Sequence, residues 1–217
     1  MFVVLEGGEG CGKTTQGAML AAHLTRGGAV VRQTREPGGT PLAENIRALF
    51  KQVETAGDVP TPLAELYLVM AARAQHLERV VRPALARGEV VVCDRFLDSS
   101  YVYQGARGGL SFDLIDRVAK PALLDTLPHL TLVLDLPTEA AAARVRTRLA
   151  GHQGTADRLD AMDASTFARV AAAFRELVIG KRPYPNGVVP RRVLIDASGH
   201  ADEVFARILA ALADVHA

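Results

Sequence analysis

Gly7-Gly8-Glu9-Gly10-Cys11-Gly12-Lys13-Thr14 carries glycines, a lysine and a hydroxyl at the spacing G-x-x-x-x-G-K-[ST]. The spacing suits a polyphosphate. Glycines let the backbone curl until several N–H groups point at one anion, and a helix starting there adds partial positive charge. Lys13 is then expected to bridge the β- and γ-phosphates of ATP, with the Thr14 hydroxyl on Mg²⁺. The setting favours this reading over an incidental glycine turn. Apolar Phe2-Val3-Val4-Leu5 leads into the loop, and a helix-forming run from Thr15 to Ala22 follows it, with Thr15 included among the ATP contacts.

A second group of chemistry-bearing residues follows Val90-Val91-Val92-Cys93, an apolar run that delivers Asp94 and Arg95 at its carboxyl end. Ligand sites of open α/β sheets gather at that edge. Asp94 is expected at the Mg²⁺ site, directly or through water, and Arg95 on a phosphate; the plainer alternative is a surface ion pair. Asp135 ends another apolar run and is a weaker rival for the metal, because Leu136-Pro137 after it reads as an ordinary turn. Arg144, Arg146 and Arg148 precede the polar, glycine-rich stretch Gly151 to Asp157, and Arg158 follows it. Arginines on both sides of such a stretch point to a mobile phosphate-contacting flap at about 144–160. Lys181 to Gly187 reads as a surface connection.

These motifs, in this order, closely resemble the thymidylate kinase family over essentially the whole chain. The residues that carry the likeness are Thr34-Arg35-Glu36-Pro37-Gly38-Gly39-Thr40, Ala71-Ala72-Arg73, Asp94-Arg95-Phe96, Ser99-Ser100 and Tyr103-Gln104-Gly105, beside the glycine-rich loop. The resemblance implies transfer of phosphate from ATP to dTMP. It implies a catalytic set of Lys13, Glu9, Arg95 and a lid arginine, Arg158. Glu9 would face the acceptor nucleotide, Arg47 and Arg95 would grip its phosphate, and Arg73 would donate to the base. Glu36, Ser100, Tyr103 and Gln104 would complete the acceptor pocket, while Arg146, Arg148 and a loop at Asp196 would serve ATP. A homodimer is implied as well. Three positions depart from the family pattern. Val69 stands where a phenylalanine usually stacks on the base, Phe96 where the family more often has Tyr or His, and Gly10 where some members carry an arginine. Other acceptors, or a nucleotide-dependent switch, remain as alternatives; neither accounts for Arg73 or Tyr103-Gln104.

Stepping from these residues to the elements that position them, Ala29-Val30-Val31, Leu130 to Leu134 and Val193-Leu194-Ile195 join the two apolar runs already named. Near-continuous apolar runs separated by helical stretches predict βαβ crossovers. The expected fold is therefore α/β, a P-loop NTPase three-layer α/β/α arrangement with a five-stranded parallel sheet, as one domain over 1–217. Thr40-Pro41 and Thr61-Pro62 each put a capping hydroxyl before proline at a helix start. The helix after Thr61 is expected to bend near Pro83 and stop at Gly88. A formal net charge of +1 gives no overall pull toward nucleic acid or an anionic membrane. Two cysteines, no leader before the first strand and no long apolar run lead to the expectation of a cytoplasmic protein.

Overall fold

Five short strands, all parallel, lie in the order β2-β3-β1-β4-β5: Val31–Arg35, Val90–Asp94, Phe2–Glu6, Leu130–Asp135 and Arg192–Asp196. The computed structural model describes residues 1–51, 59–151 and 163–213. The central strand explains the apolar runs. In β1, Phe2 and Val4 face one helical layer while Val3 and Leu5 face the other, so alternation toward two dry faces leaves no polar position. Helices α1 (Lys13–Arg26), α7 (Thr138–Gly151) and α9 (Ala201–Ala213) cover the second face. On the first face lie α3 (Pro62–His76), α6 (Phe112–Leu123) and α8 (Ala164–Ile179), the last also sending Phe167 to the other side.

The edge strands differ from expectation for a physical reason. β2 begins at Val31 rather than Ala29 and continues through Arg32-Gln33-Thr34-Arg35, mostly exposed. A strand with one neighbour can carry polar side chains, so its hydrophobic run ends where its pairing with β3 begins. Both proline-led helices are capped as their sequences predict: the Ala43 amide donates to the Thr40 hydroxyl at 3.2 Å and that of Ala64 to Thr61 at 3.3 Å.

Ahead of Pro83 the long helix changes its geometry, and the cause is visible. Between α3 and α4 (Arg82–Ala86) the stretch Leu77–Val81 widens to π geometry, with the Arg82 N–H reaching the Leu77 carbonyl. Proline has no N–H to close the ordinary turn, and the wider turn accommodates its ring. A second π stretch, Tyr101–Arg107, continues the short helix α5 (Leu97–Ser100).

The far edge of the sheet is tied back to this segment by one buried contact. Arg192, at the start of β5, donates Nε and Nη2 to both oxygens of Asp98 in α5 at 2.6 and 2.7 Å, with both side chains almost fully enclosed. Removing one partner would strand the other charge in the interior. Asp98→Ala should therefore cost about 3–5 kcal/mol in urea denaturation. A loss below about 1 kcal/mol would show that the pair does not hold β5 in place.

Candidate active site

The carboxyl ends of β1, β2 and β3 open onto one cavity of about 860 Å³. Its floor is the glycine-rich loop. Gly10 (φ 75°) and Gly12 (φ 95°) occupy left-handed backbone, and the turn at Gly7 (φ 133°) lies so close to β4 that a Cβ there would come within 2.4 Å of the Leu134 carbonyl. Gly10 is as crowded: a Cβ would sit 2.5 Å from the Ala141 carbonyl of α7. Lys13, at the start of α1, folds back so that Nζ donates to the carbonyls of Gly7 and Gly8 at 3.0 and 2.7 Å. Glu9, Gly10, Cys11, Gly12, Lys13, Thr14 and Thr15 line the cavity; Gly7 and Gly8 lie beneath them and shape the turn.

Across the mouth of this loop, the Arg95 Nη2 donates to a carboxylate oxygen of Glu9 and Nη1 to the Gly7 carbonyl and the Ser99 hydroxyl. The guanidinium also lies 5.0 Å above the Tyr103 ring, whose hydroxyl reaches Glu9 at 3.3 Å. Burial alone would raise the Glu9 carboxyl, but Arg95, with Lys13 and Arg148 behind it, drives it down to about 2. Arg95 itself sits at φ 73°, a left-handed conformation uncommon for a residue with a side chain. Glu6 supports it from below, accepting from the amides of Phe96 and Ser99 at 2.7 and 3.1 Å and from the Ser99 hydroxyl at 2.6 Å. Burial and then the neighbouring Asp98 push Glu6 up to about 7. At the end of β3, Asp94 Oδ2 accepts the Thr14 hydroxyl at 2.7 Å. A hydroxyl and a carboxylate side by side at the loop form the sparse, all-oxygen donor set that Mg²⁺ completes with water and phosphate.

The second half of the cavity is built on α3. Glu65, Val69 and Arg73 recur every fourth residue and so share one face. Arg73 is 1% exposed and held on every side. Its Nε donates to Glu36 at 2.6 Å, Nη1 to the Ser100 hydroxyl at 3.1 Å and to Met70 Sδ at 3.2 Å, and Nη2 to the Phe96 carbonyl at 2.8 Å. A guanidinium has five N–H groups, so this accounting leaves one, on Nη2. Burial would raise Glu36, but Arg73 and the hydrogen bond from His76 hold it below the usual carboxylate range. Gln104 donates to Glu65 at 3.3 Å, and Gly105 is required beside it, since a Cβ would press within 2.5 Å of the Phe112 ring. Arg47, on α2 (Pro41–Lys51), enters beside Arg35 and donates to the Pro37 carbonyl at 3.1 Å. Its pKa is lowered by burial and then by Arg35 and Arg95.

Two residues expected to contact ATP stand off the cavity wall. Arg146 is exposed and off the cavity, because two residues along a helix turn it away from the face that Arg144 and Arg148 present. Asp196 is also off the wall: its carboxylate accepts the Ser198 amide at 2.9 Å, and Gly199, His200 and Ala201 line the cavity instead. Asp135, the rival metal acid, is engaged by Arg175 Nε at 2.7 Å. Arg158 lies outside the described residues, as does most of the expected flap, whose first part, 144–151, belongs to α7. Sequence reasoning missed Glu6, Glu65 and Arg107. Glu65 could have been found from its spacing with Val69 and Arg73; Arg144, named there only as part of the flap, lines the cavity one turn ahead of Arg148.

Taken together, the floor can hold a polyphosphate, the Arg47–Arg95 side a second phosphate, and the α3 side a planar polar group. The thymidylate kinase family profile matches residues 5–186. A thymidylate kinase of Synechococcus sp. is 43% identical over 96% of this chain and 92% of its own length. One from Caulobacter vibrioides is 44% identical over 95% and 93%. The crystal structure of thymidylate kinase from Ehrlichia chaffeensis superposes with a TM-score of 0.73 at 27% identity, covering 98% of both chains. The chain belongs to the thymidylate kinase family.

Proposed function

We propose that the protein transfers the γ-phosphoryl group of ATP to dTMP, giving ADP and dTDP. The observation that carries the acceptor is the clamped Arg73, a cavity-lining guanidinium with four N–H groups committed to the protein and one uncommitted. A single fixed donor suits a carbonyl on a pyrimidine. A switch or general NTPase would have no use for it.

In the reaction, an oxygen of the dTMP phosphate attacks the γ-phosphorus, and the bond to the bridging oxygen of ADP breaks. That oxygen is nucleophilic already, so catalysis rests on position and charge. Lys13 would leave its loop carbonyls for the β- and γ-phosphates. Arg95 and Arg47 would hold the acceptor phosphate, and Tyr103 would pack against its sugar. Thr14 and Asp94 would hold Mg²⁺, which when bound neutralises charge between the β- and γ-phosphates. Arg144 and Arg148 approach from α7, and Arg158 is the proposed lid arginine within one catalytic domain. Closing such a lid would keep water from the γ-phosphate. Gly10 has no room for a side chain, which supports an arginine arriving from outside the loop.

We also propose a homodimer through α3, where Leu63 and Tyr67 stand one turn apart and exposed. Both cysteines are free and buried, in keeping with a cytoplasmic setting, and no helix among the described residues is long and apolar enough to cross a membrane.

Three measurements test the reading. ADP formation should depend on dTMP, and dCMP should be turned over about 10⁴-fold less efficiently, because its amine meets the Arg73 N–H donor to donor. A better rate with any other monophosphate would refute the acceptor. Lys13→Ala should leave circular dichroism unchanged while turnover falls by at least about 10³-fold; near-normal turnover would exclude this loop as the ATP site. Val69→Phe should lower KM for dTMP about fivefold by adding a stacking face. A lower melting temperature with unchanged KM would mean that the larger ring only overpacks the wall.

A further inference from the structure

His76 is fully buried at the end of α3, outside the cavity lining, and no step of the reaction uses it. Its ring bridges two side chains. Nδ1 lies 2.9 Å from Glu36 Oε1 and Nε2 lies 2.7 Å from the Thr34 hydroxyl of β2. Glu36 is the carboxylate whose other oxygen takes the Arg73 Nε at 2.6 Å. The space around the ring is closed: a Cβ on Gly39 would stand 2.7 Å from His76 Cδ2 and from the Thr34 hydroxyl.

We infer that His76 is a specificity-positioning residue, which fixes the rotation of the Glu36 carboxylate and through it the one N–H that Arg73 has left for the base. The inference rests on the dTMP reading above and deepens it.

The hydrogen-bond accounting leads there directly. Glu36 is ionised, so both its oxygens must accept, and Nδ1 of His76 must carry a proton. In the neutral ring, Nε2 then accepts the Thr34 hydroxyl proton, so donations run from Thr34 to His76 and from His76 to Glu36, where they meet the donation from Arg73. A carboxylate can rotate about its last bond. Held at one oxygen alone it would let the guanidinium swing; held at both oxygens it cannot. The other contacts of Arg73 go to Ser100, Met70 and Phe96, so a small turn of the guanidinium would strain them and re-aim the uncommitted N–H of Nη2. Base reading depends on that direction.

Two variants separate positioning from mere packing. Asparagine places its amide N–H near the position of Nδ1 and can keep the donation to Glu36. Glutamine reaches instead toward the position of Nε2 and gives up that donation. Each loses one buried hydrogen bond, so each should lower the melting temperature. His76→Gln should raise KM for dTMP at least about tenfold and narrow the preference over dCMP by a similar factor, with KM for ATP within about twofold. His76→Asn should raise KM for dTMP by no more than about threefold. Equal dTMP KM values for the two variants, or a parallel change in KM for ATP, would overturn the inference. A third measurement stands apart from turnover. Imidazole nitrogen NMR of the unmodified protein should show His76 protonated at Nδ1; a ring protonated only at Nε2 would overturn the inference, whichever nucleotide proves to be the acceptor. A protein that ignores dTMP yet shows the Nδ1 proton would sink the functional reading and leave the Thr34-to-Arg73 chain standing.

Discussion

Arg95 and Glu9 meet across the mouth of the glycine-rich loop, and much of the cavity depends on that contact. A site meant for two phosphorylated ligands needs several cations within a few ångströms of one another. Without counter-charges they would repel, and burial would make the repulsion worse. Arg47 shows the pressure: burial, Arg35 and Arg95 all lower its pKa. Arg95, Arg73 and Arg192 each have a carboxylate set beside them. Glu9 answers Arg95, Glu36 answers Arg73, and Asp98 answers Arg192. The carboxylates stop the arginines from choosing their own positions, so their donors face the cavity in a fixed pattern.

The same carboxylates join the site to the fold. Glu6 is the last residue of β1, and its three accepted hydrogen bonds hold the turn that carries Arg95. Asp98, one residue before Ser99, is bound in turn to β5 at the opposite edge of the sheet. The left-handed Arg95 is thus fastened to the centre and to the border of the sheet at once. Such a conformation persists only when its surroundings over-determine it.

Legibility in the sequence followed burial. β1, β3 and β4 stood out because two dry faces favour near-continuous apolar runs ahead of the acid that ends each strand, whereas β2, with one neighbour, hid four polar residues behind the short apolar run at Val31. The glycine-rich loop was plain, since a tight turn over phosphate demands particular residues in a fixed order. Arg144 and Arg146 were harder to tell apart, because only the phase of α7 decides which of two arginines reaches the cavity. Asp196, the last residue of β5, stands off the wall for a related reason: an acid at a strand end can turn to the backbone that follows, and this one accepts from the Ser198 amide. Glu6 and His76 could not be assigned from composition at all, because each acts through contacts formed with residues far along the chain.

The closeness of Gly10 to α7 bears on how this branch of the family can change over generations. A side chain at position 10 would press against the Ala141 carbonyl, and Val145 stands behind it. Moving the transition-state cation into the loop would require a residue there and a displaced helix together. Either change made first would encounter a clash or a gap, and neither intermediate would gain the benefit of the other. The two ways of supplying an arginine are therefore separated by linked substitutions rather than a single codon. A lineage that has packed α7 onto glycine is held to drawing such a cation from outside the loop.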